Sequence, residues 1–385
     1  MMSVDFAPDG GILLGRAQVP GVAHPSVVTV RDGELVDITS SRAPLVRDIC
    51  EMDDLVTYVE DAPGVVVGSL EEVFENSRAP CPSPERVLLL SPVDLQAIKA
   101  AGVTFVASML ERVVEEQAGG EPQRAEALRK EIVGLIGTDL SKIIPGSTEA
   151  MAVKEALISR GMWSQYLEVG IGSDAEIFTK CQPMASVGFG AEVGLHPVSK
   201  WNNPEPEIVV IVSSKGRIVG ASLGNDVNLR DVEGRSALLL GKAKDNNASA
   251  AIGPFLRLFD DGFTLETVKR AELALSVTGT DGFVMEGMSS MSRISRKPEA
   301  LVAATIGAHH QYPDGLALYL GTMFAPVKDR DGAGQGFTHH LGDIVRISTP
   351  ALGVLENRVQ LSTVCTPWKY GPSHLLRDLA AAELI

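Results

Sequence analysis

A chain of 385 residues, 45% hydrophobic and 22% charged, has the composition of a folded globule with room for two domains or one large one. A net charge of -15 without a basic run argues against a nucleic-acid partner and for small-molecule chemistry. Met1–Phe6 has neither a basic nor an apolar leader character, and no apolar run reaches the roughly 18 residues of a membrane span, so the reading is cytoplasmic, with no membrane partner.

In chain order, residues 1 to about 90 alternate short apolar runs with turn residues, as in Gly11-Ile12-Leu13-Leu14-Gly15 and Ser26-Val27-Val28-Thr29-Val30, which predicts a small β-rich unit. Pro80, Pro82 and Pro84 mark residues 77–85 as a linker, so the boundary is set there: a small N-terminal domain over 1–85 and a catalytic domain over 86–385. Ser91-Pro92-Val93-Asp94 carries the signature of a helix start, with Gly102 as the stop. From about 108 to 166 the pattern is helical, with Met109, Val113 and Val114 on one face and Leu128, Ile132 and Leu135 on another. This insert is expected to be a helical cap or an oligomer contact. Beyond Leu167 the expected strands are 208–212, 217–223, 272–278, 316–321, 343–348 and 352–359, with one helix at about 297–309. Short strands at this density predict an α+β, mainly β fold built on a rolled sheet or sandwich. No Gly-rich loop follows a strand to cradle a nucleotide phosphate. Cys50, Cys81, Cys181 and Cys365 lie far apart without CxxC spacing, which argues against a disulfide framework or a zinc site.

The segment Trp201-Asn202-Asn203-Pro204-Glu205-Pro206-Glu207 runs directly into the apolar Ile208-Val209-Val210-Ile211-Val212. Residues i and i+2 of a strand share a face, so Glu205 and Glu207 stand side by side at the mouth of a buried strand. Two such carboxylates repel unless a cation compensates them. A hairpin turn at Ser213–Gly216 lets the following strand carry Asp226 back towards the pair. Three carboxylates then meet one cation, and hard oxygen ligands suit Mg2+, with Mn2+ or Ca2+ as substitutes, better than zinc. Lys244, in Gly241-Lys242-Ala243-Lys244-Asp245, is a candidate base beside that cation. His309-His310 and His339-His340 read as a helix end and a turn, because adjacent histidines diverge on any regular element.

The E-x-E strand, the turn Asn225-Asp226-Val227-Asn228-Leu229-Arg230-Asp231, Lys244 followed by Ile252-Gly253-Pro254, Gly321-Thr322, and the closing Gly342-Asp343-Ile344-Val345-Arg346-Ile347 and Leu352-Gly353-Val354-Leu355-Glu356-Asn357 together resemble the fumarylacetoacetate hydrolase family over roughly residues 92–385. That resemblance implies a rolled mixed β-sheet catalytic domain, a homodimer or homotetramer, and a divalent metal chelating a 2-oxo acid. It places the metal ligands on Glu205, Glu207 and Asp226 and the active-site lysine on Lys244. Hydrolases of the family carry an N-Y-x-x-H-x-x-E segment whose His and Glu activate water. Here Ser108 stands in the place of that histidine, and serine is no general base near neutral pH without help. Glu111 keeps the place of the acid, so hydrolysis of a C–C bond in an acylpyruvate or 2,4-diketo acid remains the alternative.

The segments Trp163–Val169, Asp174–Lys180, Trp201–Glu207 and Gln311–Gly315 are instead similar to the sugar-acid dehydratase branch. That likeness implies loss of water from a 2-keto-3-deoxy pentonate, such as 2-keto-3-deoxy-D-arabinonate, to give 2-oxoglutarate semialdehyde through a metal-stabilised enolate. Glu176 and Lys244 fall on the branch's proton-transfer residues, and sequence leaves open which of them takes the C3 proton. Thr322 is the first candidate for a substrate contact, with Arg112, Lys180 and Ser108 after it.

Overall fold

The run Ile208–Val212 is apolar at every position because it feeds two cores at once. In the computed structural model, which describes residues 6–8, 10–119, 121, 124–125, 143–159, 163–324, 326 and 328–385, it lies in a strand buried at all seven positions of Pro206–Val212. Ile208, Val210 and Val212 pack into one core, while Val209 and Ile211 on the opposite face pack into a second.

The described strands, numbered in chain order, form two sheets. The larger has eleven strands in the order Val65–Ser69 (β4), Glu34–Asp37 (β3), Ser26–Arg31 (β2), Leu13–Gln18 (β1), Ala250–Leu258 (β11), Ile218–Asp226 (β10), Pro206–Val212 (β9), Leu316–Tyr319 (β14), Ala97–Ala101 (β6) and Ile177–Cys181 (β7), with Leu88–Leu90 (β5) also on β1. The smaller has five, in the order Val284–Ser290 (β13), Glu272–Thr278 (β12), Ile344–Thr349 (β15), Gly353–Leu361 (β16) and Glu192–Leu195 (β8). Both sheets are mixed: β6 runs parallel to β14, and β8 parallel to β16, among antiparallel neighbours. The first core fills the space between the sheets, where Leu273, Leu275, Val277, Val345 and Ile347 of the smaller sheet meet the face of β9 that carries Val210. The second core lies under the helices Val46–Glu51 and Leu55–Asp61, through Val46, Ile49, Leu55 and Val59.

Strands on both sides of residue 85 share the larger sheet, since β1 pairs with β11 at Leu13↔Arg257. Ser77 and Arg78 close the helix Leu70–Arg78 at the head of the proline-rich stretch. The N-terminal stretch expected to be β-rich thus also contains three helices, whose short amphipathic runs were not distinct in the sequence.

The expected helix opening at Ser91 does not form. Residues 97–101 instead make β6, with Ile98 and Ala100 buried on one face in the alternation of a strand. Ser91, read as the cap, instead shares a hydrogen bond with the Ser186 hydroxyl at 2.7 Å, and Asp94 accepts from the backbone amides of Val46 (2.7 Å) and Arg47 (3.2 Å) and so serves the start of a different helix. The expected helix at about 297–309 is shorter, Pro298–Thr305.

Three helices form the third core: Val106–Ala118, stopped by Gly119 at a left-handed φ of 64°, Thr148–Ser159 and Gln165–Ile171. Met109, Val113 and Val114 pack there against Tyr166, Leu167, Ile171 and Trp201. Leu128, Ile132 and Leu135, the other expected apolar face, lie outside the described residues. Among the described residues no helix is long and apolar enough to cross a membrane.

Candidate active site

Register brings the three carboxylates together. In the β9–β10 hairpin Pro206 pairs with Asn225 and Glu207 with Gly224, which sets Asp226 across from Glu205 with all three acids on one face. The Asp226 amide donates to the Glu205 carbonyl at 3.0 Å, extending the ladder by one residue at the hairpin's open end. One oxygen from each of Glu205, Glu207 and Asp226 lies within 4.8 Å of the others, and all three residues are buried.

Cations surround this cluster. Lys244, the last residue of the short helix Leu240–Lys244, donates to Glu205 Oε2 at 2.6 Å and to Asp226 Oδ2 at 3.2 Å. Lys180 Nζ pairs with Asp226 Oδ1 at 2.8 Å. Arg112 pairs with Glu205 Oε1 and with Glu115 Oε2. Arg230 Nε stands 2.7 Å from Glu115 Oε1, and its guanidinium lies 5.0 Å above the Trp201 ring. Among the described residues Glu207 faces no lysine or arginine at pairing distance. It accepts from the Gly321 amide at 2.7 Å and the Thr322 hydroxyl at 3.2 Å, both just past β14.

The protonation pattern follows from these partners. Burial, with Asp226 beside it, pushes the Glu207 carboxyl up to about 8. Burial alone would raise Asp226 as well, but Lys180 and Lys244 outweigh it and hold that carboxyl below its ordinary range. Burial, then the charge of Glu233, raises Glu176 to about 7, against an ordinary 4.5.

One cavity joins these groups. It is lined by Ala101, Gly102 and Val103 and by Ser108, Arg112, Tyr166, Glu176, Phe178, Glu205, Asp226, Glu233, Lys244 and Thr322, and its free space is about 20 Å³, room for about one water. Of the residues singled out in the sequence, Glu176, Lys244, Thr322, Arg112 and Ser108 all reach it, with Glu205 and Asp226, whereas Glu207 is not on its lining. Lys180 is not on it either: it is 0% exposed beneath Asp226 and donates to the Val227 carbonyl at 3.2 Å. Ser108 spends its hydroxyl on the Thr322 carbonyl, at 2.5 Å. His310 is exposed beside Tyr312, and His339 is buried against Asp343 at 3.1 Å.

Two acids were not singled out in the sequence. Glu115 sits three residues after Arg112 on the buried face of the helix Val106–Ala118, and Glu233 three residues after Arg230 on the turn Arg230–Glu233. The signal was the i, i+3 spacing of an acid from an arginine, which a solvated helix face shows equally often.

The donor set fits a hard divalent cation. Six carboxyl groups (Glu115, Glu176, Glu205, Glu207, Asp226, Glu233) face four cationic side chains (Arg112, Lys180, Arg230, Lys244), an excess of two negative charges when all are ionised. Protons on Glu207 and Glu176 answer that excess near neutral pH.

Comparison with solved structures places the architecture. A 2-keto-3-deoxy-D-arabinonate dehydratase complexed with magnesium and 2,5-dioxopentanoate superposes over 91% of this chain and 99% of its own, at a TM-score of 0.62 and 19% identity. A fumarylacetoacetate hydrolase from Exiguobacterium antarcticum covers the same shares at 0.56 and 14%. The fold is that of the fumarylacetoacetate hydrolases. The mixed sheets and mainly β content expected from the sequence are those of this fold. Among curated proteins, the 2-dehydro-3-deoxy-D-arabinonate dehydratase of Saccharolobus solfataricus is 29% identical over 185 residues, 48% of this chain and 58% of that protein. A probable 2-keto-3-deoxyxylonate dehydratase of Haloferax volcanii is 28% identical over 198 residues, 51% and 64% respectively. The matched stretches thus span about three fifths of those relatives. No protein-family model matches the chain. On the fumarylacetoacetate hydrolase fold, the carboxylate cluster lies at the open end of the β9–β10 hairpin, and the helix Val106–Ala118 brings Ser108, Arg112 and Glu115 over it.

Proposed function

We propose that the chain dehydrates a 2-keto-3-deoxy pentonate, 2-keto-3-deoxy-D-arabinonate in the first instance, to 2,5-dioxopentanoate (2-oxoglutarate semialdehyde) and water. The carrying observation is that Glu176, with its carboxyl at about 7, and Lys244 line one cavity with Glu205 and Asp226 of the three-carboxylate cluster, while the hydroxyl of Ser108 is committed to a carbonyl. The relatives' names support the same substrate class.

Glu205, Glu207 and Asp226 would hold Mg2+, which when bound supplies positive charge to the carboxylate and 2-oxo oxygens of the substrate and so acidifies C3. Lys244 takes the C3 proton. Glu176, protonated at that moment, gives a proton to the departing C4 hydroxyl, which leaves as water. A proton shift from C5 then yields the aldehyde, so one water is lost and the carbon chain stays whole. With so little free space, a five-carbon acid enters only as the lining gives way, and Arg112 and Thr322, on the wall of the same cavity, would contact it. The proposal includes a cytoplasmic homodimer or homotetramer with no nucleic-acid or membrane partner, and light scattering of the purified protein reads the assembly.

Mass spectrometry of the protein with Mg2+ and a 2-keto-3-deoxy pentonate, alongside an acylpyruvate and EDTA controls, tests the reaction. Loss of one water from the intact pentonate, abolished by EDTA, is the expected result. Cleavage of the acylpyruvate into two acids, with the pentonate untouched, would sink the dehydratase reading.

A further inference from the structure

The cavity has a second acidic wall that none of these steps uses. Glu233 ends the turn Arg230–Glu233 at 6% exposure and lines the cavity with Tyr166 and Glu176. Its Oε2 is buried without a hydrogen bond among the described residues. Arg112 Nη1 stands 3.5 Å from it, beyond a good hydrogen bond, and spends its shorter contact on Glu115, while Nη2 is taken by Glu205. A buried carboxylate oxygen without a donor is costly, so this one is placed for a donor that arrives from outside.

The chemistry of that donor is restricted. A carboxylate, phosphate or oxo group would be repelled by Glu233 and could not donate to it, whereas a hydroxyl both fits and donates. Arg112 lies between Glu233 and the carboxylate cluster, with Nη2 towards Glu205 and Nη1 towards Glu233, so the two acidic sites are at opposite sides of one guanidinium. We propose that Glu233 reads the hydroxylated tail of the substrate, accepting a hydrogen bond from the C4 or C5 hydroxyl and selecting hydroxylated 2-oxo acids over plain alkyl ones. This rests on the dehydratase reading for the orientation of the ligand, but not for the presence of hydroxyls on it. A site built around a hydrogen bond discriminates strongly, because the analogue that lacks the hydroxyl leaves the acceptor buried and unpaired.

The test compares a 2-keto-3-deoxy pentonate with 2-oxopentanoate, which has the same chain length and no hydroxyls. Binding of each is measured by calorimetry in Mg2+ to the wild type, to Glu233→Met and to Glu233→Gln, with turnover recorded wherever it occurs. The wild type is expected to prefer the pentonate. Glu233→Met should weaken the pentonate by roughly 30- to 100-fold and leave 2-oxopentanoate and Mg2+ within about twofold, and Glu233→Gln, which keeps one acceptor, should recover part of the loss. Equal weakening of both ligands would show that Glu233 only braces Arg112 and would overturn the proposal, as would no change in either. If the pentonate binds with this preference but loses no water, the dehydratase reading falls and the role of Glu233 stands. Should the Met variant not fold, the Gln variant alone decides by the same comparison.

Discussion

Glu176 is placed by a glycine. The Gly102 amide donates to the Glu176 carbonyl at 3.0 Å, and a Cβ on residue 102 would lie 1.8 Å from Glu176 Oε2 and 2.9 Å from its Cβ. Any side chain at 102 therefore evicts the carboxyl from the cavity, while the strand pairing around it is made by other residues. Gly102→Ala is expected to cut kcat by about 100-fold or more, the usual yield of a positioned proton donor, and to move the melting temperature by only a few degrees. Retention of wild-type kcat in that variant would remove Glu176 from the chemistry. The pH profile carries the same assignment: a proton donor whose carboxyl titrates at about 7 is lost as the pH rises through that value, so the rate should fall on the alkaline side, and Glu176→Gln should lack that limb.

At the scale of elements, the helix Val106–Ala118 acts as a brace. Ser108, Arg112 and Glu115 follow one another at four- and three-residue steps on its buried face. Glu115 holds two guanidinium groups, Arg112 at 2.5 Å and Arg230 at 2.7 Å. Neutralising it leaves both partly uncompensated away from water. Glu115→Gln should therefore destabilise the fold by about 3–5 kcal/mol, read as a lower urea midpoint at unchanged slope, and an unaltered midpoint would mean that water reaches these arginines. Such a brace is poorly legible in sequence. The β9–β10 hairpin could be read because an apolar run, a Gly-containing turn and a second run are local signals, and register then fixes where Asp226 falls. Residues 97–101 read as helix because Ser91 and Pro92 give a local start signal, whereas the Ser91 hydroxyl bonds Ser186, 95 residues away, and the stretch pairs as a strand with β14 and β7. Glu115 and Glu233 were passed over for a related reason: an acid without a motif looks like solvated surface until the packing of three helices and a turn encloses it.

For the molecule as a whole, the site buries more carboxyl groups than cations, and its proton count links stability to pH. Glu207 titrates at about 8 in the fold against an ordinary 4.5, so between those values the folded chain holds a proton that the unfolded chain has lost. Stability of the metal-free protein should then fall as pH rises through that window. Asp226, held low by two lysines, does not oppose this, because its carboxyl has ionised below the window. On the proposed ligand set, Mg2+ would displace the Glu207 proton, so its apparent affinity should climb roughly tenfold per pH unit up to about 8 and level off beyond. At a Mg2+ concentration of about 100 times the dissociation constant at pH 8, the stabilisation is about 2.7 kcal/mol, and the same concentration at pH 6 should give well under half of that. Melting temperatures with and without Mg2+ at the two pH values read both slopes, and Glu207→Gln should flatten both of them. A Mg2+ shift as large at pH 6 as at pH 8 would take Glu207 out of the ligand set and leave Glu205 and Asp226, each already paired with lysine, as too few carboxylates to hold the ion.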